Sequence, residues 1–323
     1  MAYTAGDTIL DDEYNAFVNN SSSPFGYNHF AGTGSAQYGL GQSAISTVSA
    51  GGTVNAAQWN ALMTGIDNIA NHTNDTMTSR SSVSAGDTIA IKAAVAADLA
   101  TLAASVAGGS TGATALTTSS AKQTSSSSST WYGAHTVEHS VTFANANTMR
   151  WFFNAGGKIN VAKTRTGNGG SGGGATTKDS NWTTLYAALG TIAIGSQTST
   201  RSGSGETLTT NGLANGFHDL GTSYTHIIRL TEATSPYTSN YIDVHAKLDA
   251  AVGSAATITV KTTANDGAAD DTYTSGNTSG VDATPDRNGT HQATITVTSI
   301  TDAQGLASAI AESSTAVVSN STS

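Results

Sequence analysis

Several residue types are scarce in this 323-residue sequence, and each absence excludes a class of protein. The chain has no Cys, which excludes disulfide bonds, thiolate catalysis and cysteine-based zinc sites. Pro occurs 3 times. Charged residues make up 11% of the chain, which is less than half of their share in a typical globular domain. No apolar run approaches the ~18 residues that a membrane-spanning helix needs, so no such helix is predicted. The start lacks the basic region and apolar core of a secretory signal.

Charge of positive sign is also scarce. Lys and Arg number 13 against 22 Asp and Glu, which gives a net charge of -9. A strongly acidic chain is repelled by phosphate backbones, so nucleic acid is not predicted as the main partner.

Small hydroxyl side chains dominate what is present. The sequence contains 40 Ser and 52 Thr, together with 35 Gly. Thr, Val, Ile and aromatic residues favour strands, whereas Gly, Asn, Asp and Ser favour turns. The predicted class is α+β, with a small N-terminal helical module containing short extended pieces, followed by an antiparallel β-sandwich-like domain. The predicted divisions are 1–80 for a repeated helix-containing docking module, 81–130 for a helix and a Ser/Thr-rich linker, 131–300 for the β-rich domain and 301–323 for a C-terminal tail that is loose or docked on a neighbour.

A short internal repeat marks the N-terminal part. Its three copies read YTAGDTI at residues 3–9, VSAGGTV at 48–54 and VSAGDTI at 83–89. In the first two copies an aromatic-Asn pair follows at the same distance, and the third copy lacks that pair. Helices are predicted to begin near Leu10 and near Asn55, where Asn55 can cap the helix. Another helix is predicted over 90–106.

Each of the first two helices carries an apolar face. Its apolar side chains recur at positions i, i+3 and i+4, so two aromatic faces packing together predict a small helical domain. The residues predicted to serve in assembly and docking are Tyr14, Phe17, Tyr38, Trp59 and Leu62.

Alternation of polar and apolar residues predicts the strands of the second part. Strands are predicted at 136–143, 191–194, 224–231, 241–248, 256–262 and 292–300. Residues 149–161 predict a strand, a glycine turn and a second strand. Within residues 181–194, a short helix is predicted before the strand at 191–194.

No constellation of reactive side chains stands out. His135 and His139 lie on a predicted strand, where positions i and i+4 are about 13 Å apart and cannot share an ion. The acidic segment from Asn265 to Asp271 lacks the ligand spacing of a calcium loop, so it is interpreted as a solvated turn. Residues 167–174 are glycine-rich without the Lys of a phosphate loop. The sequence predicts no catalytic residue, no cofactor and no metal.

Two tryptophan side chains offer an alternative function. Trp131 and Trp151 lie near glycine-rich segments, and a flat indole suits the face of a sugar ring. They are the predicted positions for contact with a host-surface glycan.

Several blocks of the sequence resemble virion structural proteins of tailed bacteriophages, especially marine ones. The blocks are AGDTI at 5–9 with Tyr14-Asn15, Gly32-x-Gly34, YGLGQ at 38–42, VNAAQWNAL at 54–62, RWFFNAGGKI at 150–159 and YTSNYIDVHAK at 237–247. They occur in the same order and cover roughly half of the chain. The resemblance implies a tail, neck or fibre component that carries no catalytic residues.

These observations lead to one functional expectation with alternatives. The protein is expected in the virion, as a structural component that forms a homo-oligomer and docks to neighbouring proteins of the tail, neck or capsid. It is not expected to be an enzyme. The alternatives are a host-surface glycan-binding adhesin, acting through the β domain, and a capsid decoration protein.

Overall fold

Two compact units make up the chain. The structure is a computed structural model, and it describes residues 11–32, 37–87, 92–108, 116–118, 123–126, 133–167, 176–268, 272–275, 278–281, 289–300 and 310–323. The helical unit comprises Met1–Thr117, Asn147–Gly157 and Ser299–Ala311. The sheet unit comprises Thr118–Ala146, Lys158–Thr298 and Glu312–Ser323. The N-terminal helices and the antiparallel sheets confirm the predicted α+β class with a sandwich-like β domain.

The described residues form helices and strands along the whole chain. The helices are α1 (Asp11–Asn19), α2 (Tyr27–Ala31), α3 (Ala56–Thr73), α4 (Lys92–Ala107), α5 (Ala146–Asn154) and α6 (Thr176–Leu189), with a 3-10 helix at Phe217–Asp219. The strands are β1 (Leu116–Thr118), β2 (Gln123–Ser126), β3 (Ala134–Thr142), β4 (Lys158–Thr166), β5 (Thr191–Ile194), β6 (Ser199–Arg201), β7 (Thr207–Asn211), β8 (Thr225–Thr231), β9 (Tyr241–Leu248), β10 (Thr257–Asn265), β11 (Thr272–Ser275), β12 (Thr278–Val281), β13 (Thr290–Ile300) and β14 (Ser314–Thr322). Among these residues, no helix combines the length and apolarity needed to cross a membrane.

The internal repeat is held together by asparagine side chains. Asn15 of α1 donates its Nδ2 to the carbonyl of Val48 at 2.9 Å and accepts from the Val48 amide at 2.8 Å. Asn60 of α3 makes the same pair of bonds with Val83, at 2.9 and 3.0 Å. The Asn of each copy therefore binds the backbone of the first residue of the next copy. We call each such pair of bonds an asparagine clamp.

A helix cap and apolar packing complete the helical unit. The predicted cap of α3 is present, since Asn55 and Gln58 form a reciprocal capping box. The ring of Phe17 meets that of Trp59 edge-on, with centroids 6.5 Å apart. In the third copy the buried Val95 stands where the first two copies have Asn, so the series of clamps ends there and the position joins the core.

The sheet unit contains two large antiparallel sheets and the small two-stranded sheet β11-β12. The first has the order β13-β4-β5-β6, and β2 also pairs with β13. The second has the order β14-β3-β10-β9-β8-β7. Along β3 and β10, buried and half-buried residues alternate, so one face of the second sheet belongs to the core. Helix α6 packs against β4 of the first sheet and against β8 and β9 of the second.

Two segments differ from the sequence predictions. Residues 146–154 form α5 rather than a strand, because helical geometry directs Arg150, Trp151 and Asn154 toward one loop of the helical unit. Ser314–Thr322, predicted as part of a C-terminal tail, forms β14 and pairs with β3. Its uncharged, β-favouring residues suit an edge strand.

The asparagine clamps generate a stability prediction. The variant Asn60→Ala should lower the free energy of unfolding by about 1–3 kcal/mol, because the Val83 backbone loses both partners. The matched control is Asn68→Ala on the same helix, which should leave that free energy nearly unchanged. Urea unfolding followed by circular dichroism measures both, and equal stability of the two variants would contradict a role for the clamp.

Candidate functional site

The side chains predicted for docking lie mostly inside the helical unit. Tyr14, Trp59 and Leu62 are buried, whereas Phe17 and Tyr38 are half-buried. The Tyr14 hydroxyl lies 3.4 Å from the carbonyl of Gln58, so even its polar end faces its own chain. These positions assign the side chains to internal packing, and their role in docking to other proteins stays a prediction.

Trp151 belongs to a contact between α5 and the loop that precedes α3. Its indole Nε1 donates to the Gly32 carbonyl at 3.2 Å, and Asn154 Nδ2 donates to the Tyr38 carbonyl at 2.8 Å. Gly39 adopts a positive φ of 96°, and a Cβ there would lie 3.1 Å from the indole nitrogen. Only glycine allows this backbone to approach the indole so closely. We call this contact the clasp.

The clasp bears on the glycan hypothesis. The indole of Trp151 contacts its own chain, and Trp131, the other predicted glycan residue, lies outside the described residues. Contact of either residue with a glycan stays a prediction.

The clasp predicts that Trp151 acts on stability. Trp151→Ala should lower the free energy of unfolding by about 2–3 kcal/mol, because it removes packing area and a hydrogen bond. Trp151→Phe keeps most of the ring, so it should cost only about 1 kcal/mol. Chemical denaturation measures both. Unchanged stability of Trp151→Ala, together with lost binding to host cells, would instead favour the glycan role.

The second sheet carries a group of charged and aromatic side chains on the face opposite its core. Cross-strand pairs place His226 opposite His245, His245 opposite Lys261, and Lys261 opposite Glu138. We call this surface the open face. Its members are Glu138 of β3, Tyr224 just before β8, His226 and Arg229 of β8, Tyr241, Asp243, His245 and Lys247 of β9, and Lys261 of β10. All are half-buried except Asp243, which is buried.

Asp243 is the centre of the open face. His226 Nε2 lies 2.8 Å from its Oδ1, Arg229 Nε donates to the same oxygen at 2.9 Å, and Arg229 Nη2 pairs with Oδ2. Burial alone raises the pKa of the Asp243 carboxyl, but the hydrogen bonds from Arg229 and His226 outweigh burial and hold its pKa below the ordinary value. Asp243 is therefore ionised at neutral pH.

His245 completes a cluster with Asp243 and His226. Each residue offers one donor atom, and these atoms lie within 4.8 Å of one another. Burial, followed by the charge of His226, lowers the pKa of His245 to about 4 although Asp243 opposes the shift. His245 is neutral above that value, so it can offer a nitrogen lone pair. Two imidazoles and a carboxylate are ligands that a divalent transition metal accepts.

An aromatic ring with two lysines lies beside this cluster. The Nζ atoms of Lys261 and Lys247 lie 4.0 and 4.5 Å from the ring centroid of Tyr224. The Tyr224 hydroxyl donates to Glu138 at 2.8 Å, and burial, that bond and the Glu138 charge raise the pKa of Tyr224. The lysines are held over the ring by cation–π attraction, which fixes positive charge at this part of the open face.

The sequence did not reveal this cluster. His226 and His245 are nineteen residues apart in the sequence and meet only through the register of β8 and β9. One signal was available, because Asp243 and His245 occupy alternate positions of a predicted strand and therefore share a face. The bulge between His226 and Ile228, which sets the pairing, has no comparable signal.

The interior of the sheet unit holds a second group of titratable side chains. Lys163 of β4 is fully enclosed, and its Nζ donates to the His135 carbonyl at 3.1 Å. Burial lowers the pKa of Lys163 to about 7. Burial and the Lys163 charge lower the pKa of both His135 and His139 to about 4. Neither ring nitrogen of His139 has a hydrogen-bond partner among the described residues. His135 and His139 share the buried face of β3, as predicted strand residues would.

His139 predicts a pH dependence of stability. Its pKa is 6.5 in the unfolded chain and about 4 in the fold, so between these values the unfolded chain binds a proton that the fold excludes. Stability should therefore fall as the pH decreases from 6.5 toward 4. His139→Leu removes this penalty, so at about pH 5 it should stabilise the protein by about 2 kcal/mol more than at about pH 8.

Denaturant unfolding at the two pH values tests that expectation. Val141→Leu is the matched control, because it alters a buried side chain of the same strand and removes no titratable group. It should keep the wild-type dependence on pH. An identical pH dependence in His139→Leu and wild type would contradict the assignment.

Part of the acidic segment interpreted as a solvated turn is buried. Asp266 Oδ2 lies 2.6 Å from Lys178 Nζ, and both side chains are less than one-twentieth exposed. Asp266 therefore forms a buried ion pair that ties the end of β10 to α6. Asp270 and Asp271 lie outside the described residues.

No known protein family, curated protein or solved structure matches the chain.

Proposed function

We propose that the chain is a structural component of a tailed-bacteriophage particle, in the tail, neck or fibre apparatus. It assembles with copies of itself and docks to neighbouring particle proteins. The proposal rests on the resemblance of the sequence blocks and on how the fold uses those blocks.

The use of the blocks is the observation that carries the proposal. The blocks at 38–42 and 150–159 meet in the clasp, and the block at 54–62 supplies the asparagine clamp of α3. Their hydrogen bonds and ring contacts hold backbone segments in place. Residues devoted to backbone geometry are what a protein needs when its function is to present a fixed surface to its neighbours.

The open face is the surface that we assign to assembly. The block at 237–247 contains all of β9 except its last residue, and it gives this face Tyr241, Asp243, His245 and Lys247. The face carries the three basic residues Arg229, Lys247 and Lys261 against the two acidic residues Glu138 and Asp243. The whole chain has the opposite balance, with 13 basic against 22 acidic residues.

This contrast of charge favours a second copy of the chain as the occupant. A positive face on a protein of net charge -9 attracts the acidic surface of another copy. Such a contact joins two different surfaces, so it builds rings when its rotation closes and filaments when it does not. Both outcomes suit a tail, neck or fibre.

Light scattering coupled to size exclusion tests the assembly. At low salt the wild-type chain should have a mass several times 32.5 kDa. The double variant Lys247→Ala/Lys261→Ala should shift toward 32.5 kDa, and added salt should act likewise because it screens charges beyond a few ångströms. Lys158→Ala, at an exposed lysine of the first sheet, is the matched control and should assemble as wild type does.

Two results would overturn the proposal. One is a wild-type chain that stays at 32.5 kDa at every concentration and salt. The other comes from particles probed with an antibody against the chain, which should mark the tail, neck or fibres. Marking of the capsid surface alone would contradict the assigned position.

A further inference from the structure

The cluster on the open face has the ligand set of a metal site. His226, Asp243 and His245 offer two imidazole nitrogens and a carboxylate oxygen, all within 4.8 Å of one another. Zinc binds such ligands at ~2.0–2.2 Å, which places tetrahedral donor atoms about 3.4 Å apart. Side-chain rotations would bring the three donor atoms to that spacing.

One atom of the cluster lacks a partner. His245 Nδ1 is buried, and no described residue forms a hydrogen bond with it. A buried polar atom without a partner costs about 1–3 kcal/mol, so its burial calls for an explanation. An ion bound through this nitrogen would satisfy it. The observation is independent of the distances within the cluster.

The remaining ligands are already oriented. His226 and Asp243 are directed at each other, with Nε2 2.8 Å from Oδ1, and an ion would take the place of the proton between them. Arg229 holds both carboxylate oxygens, since its Nε donates to Oδ1 at 2.9 Å and its Nη2 to Oδ2, and Oδ1 has a second lone pair for an ion. Carboxylates that bind metals commonly have such an outer partner, which fixes their orientation. The three ligand residues lie on β8 and β9, which are paired strands rather than loops.

We infer that His226, Asp243 and His245 form a binding site for a divalent transition cation of the zinc type. The ion cross-links β8 to β9 at the open face. Three protein ligands leave a fourth tetrahedral position for water or for a donor atom of a neighbouring protein. The site does not depend on the proposed function, since a metal can bind to the isolated chain whether or not the chain assembles.

The charges around the site determine its affinity for the ion. Arg229 neutralises Asp243, and Lys261 lies opposite His245 across the strand pair. Positive neighbours oppose a cation, so we expect micromolar rather than nanomolar affinity. Copper binds such sites more tightly than zinc does, so added Cu²⁺ should displace the zinc.

Zinc titration of the full-length, tag-free chain tests the inference. After treatment with a chelator and its removal, isothermal calorimetry should show one zinc ion per chain, and zinc should raise the midpoint of thermal unfolding. His226→Gln and Asp243→Asn should each weaken binding at least tenfold. His218→Ala, in the 3-10 helix and outside the cluster, is the matched control and should bind zinc as wild type does.

A spectroscopic measurement on the wild-type chain avoids any folding defect of the variants. Cobalt(II) bound by three such ligands in a tetrahedral site absorbs strongly in the visible range, and zinc should displace this signal. Circular dichroism establishes that each variant is folded. Two results would overturn the inference. One is no zinc binding by wild type up to millimolar concentration, and the other is unchanged zinc affinity in folded His226→Gln and Asp243→Asn.

Discussion

The asparagine side chain is the element on which the helical unit depends. Its amide carries one acceptor and a donor in fixed geometry, so it can pair with the backbone N–H and C=O of a single residue as a strand would. Asn15 and Asn60 pair in this way with Val48 and Val83, and Asn28 pairs with Ile45 at 2.8 and 2.9 Å. In each case an extended segment without strand partners receives both hydrogen bonds that its backbone requires.

The clamps compensate for the composition of the chain. Small side chains bury little apolar area, so segments rich in Ser, Gly and Ala cannot be fixed by packing alone. Hydrogen bonds from a few longer polar side chains then determine the path of the backbone. The clasp follows the same rule, since Asn154 and Trp151 hold the carbonyls of Tyr38 and Gly32.

The sheet unit obeys a different constraint. Its second sheet has an apolar core face and an open face where most of the polar character is concentrated. The interior nevertheless encloses Lys163 with His135 and His139, and burial lowers the pKa of all three side chains, so that the two histidines are neutral at neutral pH. The second sheet therefore holds neutral histidines on its inner side and ionised groups on its outer side.

Much of this fold was predictable, and the failures have physical causes. Alternation located β3, β8, β9, β10 and β13, and helical periodicity located α3 and α4, because each has one clearly apolar face. The prediction for residues 149–154 was wrong because a run of bulky residues suits both strand and helix. The contacts with Gly32 and Tyr38 that favour the helix lie more than 100 positions away in the sequence.

The candidate site was less accessible to sequence reasoning than the fold. His135 and His139 are close in sequence, yet these two side chains face the core. His226 and His245 come together through strand pairing, which depends on a bulge and on the register of several strands. Long-range pairing of this kind leaves little trace in a single sequence. The alternation of polar and apolar residues within each strand, in contrast, can be read directly from the sequence.

The asparagine clamp also has an evolutionary consequence. Because the clamp recognises only main-chain atoms, its hydrogen bonds require no particular side chain at the residue that it holds, and they hold both valine and isoleucine, at Val48, Val83 and Ile45. Descendants of such a module can diverge at nearly every position while a handful of asparagines preserves the architecture. Relationship between such modules would then remain detectable in the spacing of their clamp asparagines after the rest of the sequence had diverged beyond recognition.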